Sequence, residues 1–252
     1  MAARLRRATT LHWSPCASTD DMNDSRRSAP DLAQFLQGVP LFAGLAEGAL
    51  AALARASQVW RVSKGKTLFS QTDPAEAVYL VRSGRIAILL STPDGRELVI
   101  NEMRTGDCFG EVALLTGQGR STSAVAREAS EVISIPGSEF LAALESEPQL
   151  MRHVLETTAL RLRVSSERES ALAFLDAAAR LAHVLLLLDR QASVDGYVTI
   201  SQEELAQRVG LTRQTVAKTL GQWRRAGWLI TGRGKIVLLN RAALRRQAKE
   251  PE

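Results

Sequence analysis

The chain has 252 residues, is 45% hydrophobic and carries a formal net charge of +5. A chain of this length holds one or two domains with a sizeable core. Its two cysteines are too few for a disulfide framework, which predicts a reduced, cytoplasmic setting. The three histidines are scattered without ligand spacing, so we expect no metal site. No apolar run approaches the ~20 residues that cross a bilayer, and we expect a soluble protein with no membrane partner.

The positive charge is concentrated at one end of the chain. Residues 179–252 contain 13 Lys and Arg against 6 Asp and Glu, a net charge of +7, whereas the rest of the chain carries −2. A basic C-terminal third predicts a domain that binds a polyanion. Cations spread over solvated helix faces would give the same composition, so this alternative stays open here.

The first segments in chain order differ sharply from each other. Residues 1–30 show no apolar periodicity, which predicts a disordered arm, and they lack the apolar segment of a secretory signal. Beyond them, leucines at helical spacing lie on both sides of the breaker Gly38-Val-Pro40. This pattern predicts two short helices.

Short β-branched runs fill the chain between Val59 and Ile135. They are separated by turn signals such as Ser83-Gly84 and Pro93-Asp94-Gly95. Many short strands without long helices between them predict an antiparallel barrel or jelly roll over residues 31–147. A cupin-type metalloenzyme would use the same barrel, but it would need a cluster of His and Glu ligands.

The longest helical stretch is predicted over residues 148–175. Its a and d positions follow a 4-3 spacing, which is typical of a coiled-coil seam and predicts a dimerisation helix. A helix that packs this seam on its own barrel is the alternative. The predicted seam is Met151, Leu155, Thr158, Leu162, Ser165, Glu169 and Leu172.

Residues 176–252 have the pattern of a winged helix-turn-helix. Ser201-Gln-Glu-Glu204 is a capping box, Gly210 supplies a turn, and Thr212 caps a second helix. A wing follows, with its tip near Arg233. Polar residues at the start of the second helix are expected on base edges, and the wing cations are expected on phosphates. The predicted DNA-binding residues are Thr212, Arg213, Gln214, Thr215, Lys218, Arg233 and Lys235.

Two local motifs resemble a known family. Residues 109–117, followed by Arg120-Ser121, resemble the phosphate-binding cassette of cyclic-nucleotide-binding domains. Residues 173–176 and 213–216 are similar to the hinge and the recognition helix of the Crp/Fnr superfamily of bacterial transcription regulators. The resemblance covers about residues 31–240.

The resemblance implies an α+β fold with three parts. These are an N-terminal cyclic-nucleotide-binding jelly-roll barrel, a long dimerisation helix and a C-terminal winged helix-turn-helix domain. It implies a homodimeric regulator, not an enzyme, that binds double-stranded DNA at a palindromic operator and contacts RNA polymerase.

Within the cassette the residue types suit a cyclic nucleotide. Gly110 allows a close approach, Arg120 can bind the phosphate, and the carboxylate of Glu111 suits a ribose 2′-hydroxyl, as the family implies. Serines of the long helix are expected near the base. The predicted ligand-binding residues are Gly110, Glu111, Val112, Arg120, Ser121, Ser165 and Ser166.

The identity of the effector is left open by two departures from the family. Ser165 stands where cyclic AMP-binding members have a Thr, and Thr122 replaces a common Ala. Cyclic AMP is the first expectation, and cyclic di-GMP, haem or no ligand are the alternatives. The iron–sulfur branch is excluded because it needs four cysteines. Two interpretations without a ligand also remain. Glu111 and Arg120 could form an ion pair, and Ser165 could be a polar residue that only sets the helix register.

Overall fold

The computed structural model describes residues 23–24, 29–92, 97–191 and 196–249. They form an antiparallel β-barrel flanked by short helices, a long helix, and a smaller domain of helices with a three-stranded sheet. The α+β architecture expected from the sequence is therefore confirmed. Among the described helices, none combines the length and the apolar character that crossing a membrane requires.

The N-terminal helices pack against the barrel. They are α1 (Ala29–Gln37) and α2 (Glu47–Ala56), joined through a 3-10 turn at Pro40–Phe42. Leu36 and Phe42 are fully buried in a core that these helices share with the barrel. The two predicted helices are confirmed.

Within the described ranges, nine strands build the barrel. They are β1 (Asn23–Asp24), β2 (Gln58–Val62), β3 (Thr67–Phe69), β4 (Ala77–Ser83), β5 (Ile86–Ser91), β6 (Glu97–Met103), β7 (Cys108–Phe109), β8 (Ser123–Ala126) and β9 (Ser130–Pro136). They form two antiparallel sheets, one with the order β1-β2-β9-β4-β7 and the other with the order β3-β8-β5-β6. Tight turns with left-handed glycines, such as Gly84, connect the strands.

The end of the expected disordered arm is ordered, so this part of the prediction is wrong. Asn23–Asp24 pairs antiparallel with β2, and α1 already begins at Ala29. The edge of β2 offers unpaired backbone groups, which explains why a polar dipeptide without apolar periodicity joins the sheet. The rest of the arm, residues 1–22 and 25–28, lies outside the described residues.

One short helix interrupts the barrel strands, and three further helices follow the last of these strands. α3 (Glu111–Thr116) lies between β7 and β8, and α4 (Gly137–Ser146) follows β9. The long helix α5 (Pro148–Phe174) agrees closely with its predicted bounds, and α6 (Ala177–Gln191) follows it. Leu150 and Val154 anchor the first turns of α5 in the barrel core.

The exposed stripe of α5 differs from the predicted seam. Thr158 and Ser165 are half-buried on the barrel side, because they lie on the same face as the buried Val154. Leu155 and Leu162 are exposed as expected, while the side chain of Leu172 lies outside the described part. The exposed positions that continue their stripe in 4-3-4 spacing are Leu155, Ala159, Leu162 and Ser166.

The C-terminal domain has its own core, formed by residues such as Leu185, Leu205, Val216, Leu220 and Ile236. Its elements are β10 (Val198–Thr199), α7 (Gln202–Val209), α8 (Arg213–Arg225), β11 (Leu229–Gly232), β12 (Lys235–Leu238) and α9 (Arg241–Ala248). The three strands form a sheet with the order β10-β12-β11.

Candidate ligand cavity and nucleic-acid interface

A cavity lies between strand β6, the cassette helix α3 and the long helix α5. Ile100 and Met103 of β6 line one side, and Arg161 and Val164 of α5 line another. The structure brings six of the seven predicted ligand-binding residues into this lining. They are Gly110, Glu111, Val112, Arg120, Ser121 and Ser165.

Arg120 is a buried cation at the bottom of the cavity. It is only 4% exposed and donates from Nη1 to the carbonyl of Gly110 and from Nη2 to that of Ala77, both at 2.7 Å. Its guanidinium carbon lies 4.3 Å from the ring centroid of Phe69. Its Nε has no hydrogen-bond partner among the described residues. Burial lowers the pKa of Arg120, as expected when a charge is withdrawn from water.

Gly110 is required where β7 meets α3. It adopts a left-handed conformation with φ +85°, which L side chains rarely tolerate. A Cβ at this position would lie 2.7 Å from Nη1 of Arg120. Gly110 therefore leaves the space in which the guanidinium approaches the backbone.

Glu111 does not pair with Arg120, so the ion-pair interpretation of these two residues is wrong. Its Oε1 accepts from Nη1 of Arg161 at 2.7 Å, and its side chain is 6% exposed. Arg161 also donates to the carbonyl of Cys108. The pair ties α5 to the cassette and leaves the Arg120 guanidinium facing no carboxylate partner in the described part of the chain.

Arg161 is a charged cavity residue that the sequence analysis missed. It precedes Ser165 by four residues, so the two side chains share one face of α5. Once Ser165 was assigned to the cavity, this spacing could have identified Arg161.

The two neighbouring serines of α5 lie in different places. Ser165 lines the cavity, whereas Ser166 lies on the exposed side of the helix beside Leu162. One residue turns a helix by about 100°, so both cannot face the same cavity. Within one chain, the expectation that Ser166 contacts the ligand is not met.

The helix-turn-helix is built as its sequence indicates. Ser201 accepts from the backbone N–H of Glu204 at 3.1 Å, and the Glu204 carboxylate accepts from the N–H of Ser201 at 3.0 Å. Gly210 is left-handed with φ +65°. Thr212 caps α8 by accepting from the N–H of Thr215 at 3.1 Å. The predicted capping box, turn and cap are therefore confirmed.

Most of the predicted DNA-binding side chains are exposed. Arg213, Gln214 and Lys218 are exposed on α8, whose buried face includes Val216 and Leu220. The hydroxyls of Thr212 and Thr215 lie 2.8 Å apart and bond to each other. In the wing, Arg233 is exposed and the ammonium of Lys235 lies 4.1 Å from the ring centroid of Tyr197. The assignment of base contacts to these residues stays a prediction.

No group of three or more His, Cys, Asp or Glu side chains that could hold a metal occurs within the described ranges. The cupin-type alternative gains no support from the donor set of this barrel.

The barrel has a cavity with a buried arginine, and a long helix joins it to a winged helix-turn-helix. This combination defines a class of protein, the ligand-sensing DNA-binding regulators. Residues 59–147 match the cyclic nucleotide-binding domain, and residues 179–247 match the Crp-like helix-turn-helix domain. The chain belongs to the Crp/Fnr family of transcription regulators. This family is a family of regulators and not a class of enzymes.

Comparisons with individual proteins support this family assignment. The chain is 32% identical over 213 residues to the CRP-like cAMP-activated global transcriptional regulator of Mycobacterium tuberculosis, covering 82% of this chain and 95% of the relative. It is 33% identical over 179 residues to the cAMP-activated global transcriptional regulator CRP of Salmonella typhimurium, covering 69% and 85%. The structure of the c-di-GMP responsive global regulator CLP of Xanthomonas campestris has the same fold, with a TM-score of 0.70 at 24% identity over 77% of this chain and 99% of that one.

Proposed function

We propose that this chain is a homodimeric transcription regulator whose binding to a palindromic operator is controlled by a cyclic mononucleotide in the barrel. The observation that carries the proposal is the buried guanidinium of Arg120. A buried charge is costly unless an ion of opposite sign accompanies it, and the orphaned Nε offers a donor for a phosphate oxygen.

Cyclic AMP is the first ligand to test. Two relatives at 32% and 33% identity are named as cAMP-activated. Arg120 would hold the cyclic phosphate, Glu111 the ribose, and Ser165 would face the base. Ser121 and the backbone of Gly110 and Val112 would complete the phosphate contacts.

The alternative effectors fit the lining less well. Cyclic di-GMP has two phosphates, but the second cation in the lining, Arg161, is already paired with Glu111. Haem iron takes an axial ligand such as His, Cys or Met. Of these types the lining contains Met103, whose sulfur accepts from Arg161 at 3.7 Å.

Dimerisation through α5 would change the surroundings of Ser166. The stripe of Leu155, Ala159, Leu162 and Ser166 is exposed in the single chain and has coiled-coil spacing. A two-fold contact along this stripe would bury Ser166 at the interface, near the partner's cavity. The role of Ser166 in ligand binding is therefore proposed for the dimer only.

Calorimetry with cyclic AMP, cyclic GMP and cyclic di-GMP tests the function. We expect one cyclic mononucleotide to bind the wild type, and Arg120→Gln to weaken that binding by about tenfold to over a hundredfold. Circular dichroism of the variant checks that it is folded. A folded wild type that binds none of the three nucleotides would show that the barrel is a dimerisation domain without this ligand.

A further inference from the structure

The ligand cavity spans the sheet β3-β8-β5-β6 from one edge to the other. Arg120 lies over the ring of Phe69 on β3, at one edge of this sheet. Asn101 lies on β6, at the opposite edge, and β8 and β5 run between the two. Both Arg120 and Asn101 line the cavity. A ligand whose phosphate meets Arg120 therefore extends its far end towards Asn101.

The end of the cavity near Asn101 is mainly apolar. Ile88 pairs with Asn101 across the two strands, and Ile100 precedes it; both isoleucines line the cavity. Asn101 and Val164 also line the cleft between β6 and α6, so they lie where the two spaces adjoin. Because Ser165 follows Val164 and lines the same cavity, Asn101 and Ser165 offer polar groups at this end. Apolar walls with a few placed polar groups suit a nucleobase.

A β-bulge turns the side chain of Asn101 into the cavity. The pairing of β6 with β5 skips Ile100, because its neighbours Val99 and Asn101 face consecutive residues of β5. Successive side chains of a regular strand point to opposite faces, but a bulge changes this alternation. Ile100 and Asn101 therefore both line the cavity.

The amide of Asn101 offers the cavity a hydrogen-bond donor. Its Oδ1 accepts from the backbone N–H of Glu102 at 2.9 Å. An N–H group cannot donate to an amino group, so this bond fixes which end of the amide faces the strand. The Nδ2 group of Asn101 donates to no partner within the described ranges. It is the end of the amide that remains for a ligand.

Ser165 offers the opposite polarity. Its hydroxyl donates to the carboxylate of Glu169, one turn further along α5, at 3.5 Å. An ionised carboxylate can only accept, so the lone pairs of the Ser165 Oγ remain for a donor on the ligand. This end of the cavity thus combines the donor of Asn101 with the acceptor of Ser165.

We propose that Asn101 is a specificity-determining residue that reads the base of the bound cyclic nucleotide and selects adenine. The 6-amino group of adenine is a donor, and the two ring nitrogens beside it, N1 and N7, are acceptors. Ser165 accepts from the amino group, and Nδ2 of Asn101 donates to one of these nitrogens. In guanine a carbonyl replaces the amino group, so that Ser165 meets another acceptor. The inference rests on the proposed function, because it requires a cyclic mononucleotide in this cavity.

Calorimetry with modified nucleotides tests the contact. The analogues 7-deaza-cyclic AMP and 1-deaza-cyclic AMP each replace one ring nitrogen by a C–H group. One of them should bind the wild type about threefold to tenfold more weakly than cyclic AMP, as expected for the loss of one neutral hydrogen bond. Cyclic GMP should also bind more weakly than cyclic AMP.

The variant Asn101→Asp should reverse the order of affinities. It keeps the shape of the side chain and the acceptor for the N–H of Glu102, and it replaces the donor by a carboxylate oxygen. The added charge weakens all nucleotides alike, but the carboxylate also repels the lone pair of the ring nitrogen. The analogue that binds the wild type more weakly should therefore bind this variant more tightly than cyclic AMP. Thr122→Val is the matched control: it removes a hydroxyl from the same cavity and should keep the wild-type order.

The outcomes separate this inference from the proposed function. If both analogues bind the wild type as tightly as cyclic AMP, or if Asn101→Asp keeps the wild-type order, Asn101 does not read the base. Tighter binding of cyclic GMP than of cyclic AMP to the wild type overturns the selection of adenine. These results leave the proposed function intact. A wild type that binds no cyclic mononucleotide contradicts the proposed function and this inference together.

Discussion

Two backbone carbonyls depend on the side chain of Arg120. The bond from its Nη2 to the carbonyl of Ala77 is buried, and Ala77 is the first residue of β4, which lies between β9 and β7. Arg120 thus supports the cassette in addition to offering a charge to a ligand. A substitution that removes both donors is expected to act on stability as well as on binding.

We predict that Arg120→Ala lowers the melting temperature by several degrees. An unsatisfied buried acceptor costs about 1–3 kcal/mol, and Ala offers no donor to the carbonyls of Ala77 and Gly110. Calorimetric melting measures the effect. Ser121→Ala is the matched control, because Ser121 is an exposed residue of the same loop; it should weaken nucleotide binding and leave the melting temperature unchanged. If Arg120→Ala melted at the same temperature as the wild type, the guanidinium would have no structural role.

At the scale of elements, the 4-3 spacing of α5 correctly indicates a long helix. It does not indicate which stripe of that helix is left exposed to solvent. Two stripes satisfy that spacing, and only the packing of Leu150 and Val154 on the barrel decides between them. Sequence reasoning therefore assigned Ser165 to both the seam and the cavity. The structure places it in the cavity.

Local backbone signals were the most predictable part of the fold. The capping box of α7 and the cap of α8 depend on neighbouring residues alone, so their sequence is sufficient. The pair of Arg161 with Glu111 joins residues 50 positions apart, and no local pattern specifies it. The helix α9 was missed even though its start carries a signal, because Asn240 accepts from the N–H of Ala243 at 2.9 Å.

The exposed stripe of α5 leads to a prediction about assembly. Leu162→Glu should dissociate the dimer at micromolar concentration, because two-fold symmetry would bury an unpaired charge in both subunits at once. Leu160→Glu is the control: Leu160 is 64% exposed against 68% for Leu162, but it lies about 160° away around the helix. Sedimentation velocity separates the two outcomes. If the Leu162 variant remains a dimer, or if both variants dissociate, the interface is not this stripe.

At the scale of the whole molecule, the long helix and the barrel both contact the DNA-binding domain. α5 ends at Phe174 and is followed by α6 after two residues, so a dimer built on α5 fixes the start of each DNA-binding domain. Arg208 and Gln207 of α7 bond to Glu102 and Glu97 of β6, so α7 is docked on the barrel. A two-fold dimer has two recognition helices related by one axis, and its operator must share that symmetry.

This symmetry and the exposed side chains of α8 predict the operator and its readout. Half-sites should be centred about 10–10.5 bp apart or a multiple of this distance. Arg213 is expected to pair with guanine O6 and N7, and Gln214 with adenine N6 and N7, whereas a Glu at the latter position would accept from cytosine N4. Binding-site selection with the wild type and Gln214→Glu should therefore recover half-sites that differ at one base pair, with a discrimination of ~1–3 kcal/mol. Arg233→Ala in the wing is the control: it should weaken all sequences alike and reduce the salt slope by about one unit per subunit. Identical half-sites for the wild type and Gln214→Glu would mean that Gln214 does not read a base and that α8 lies differently in the groove.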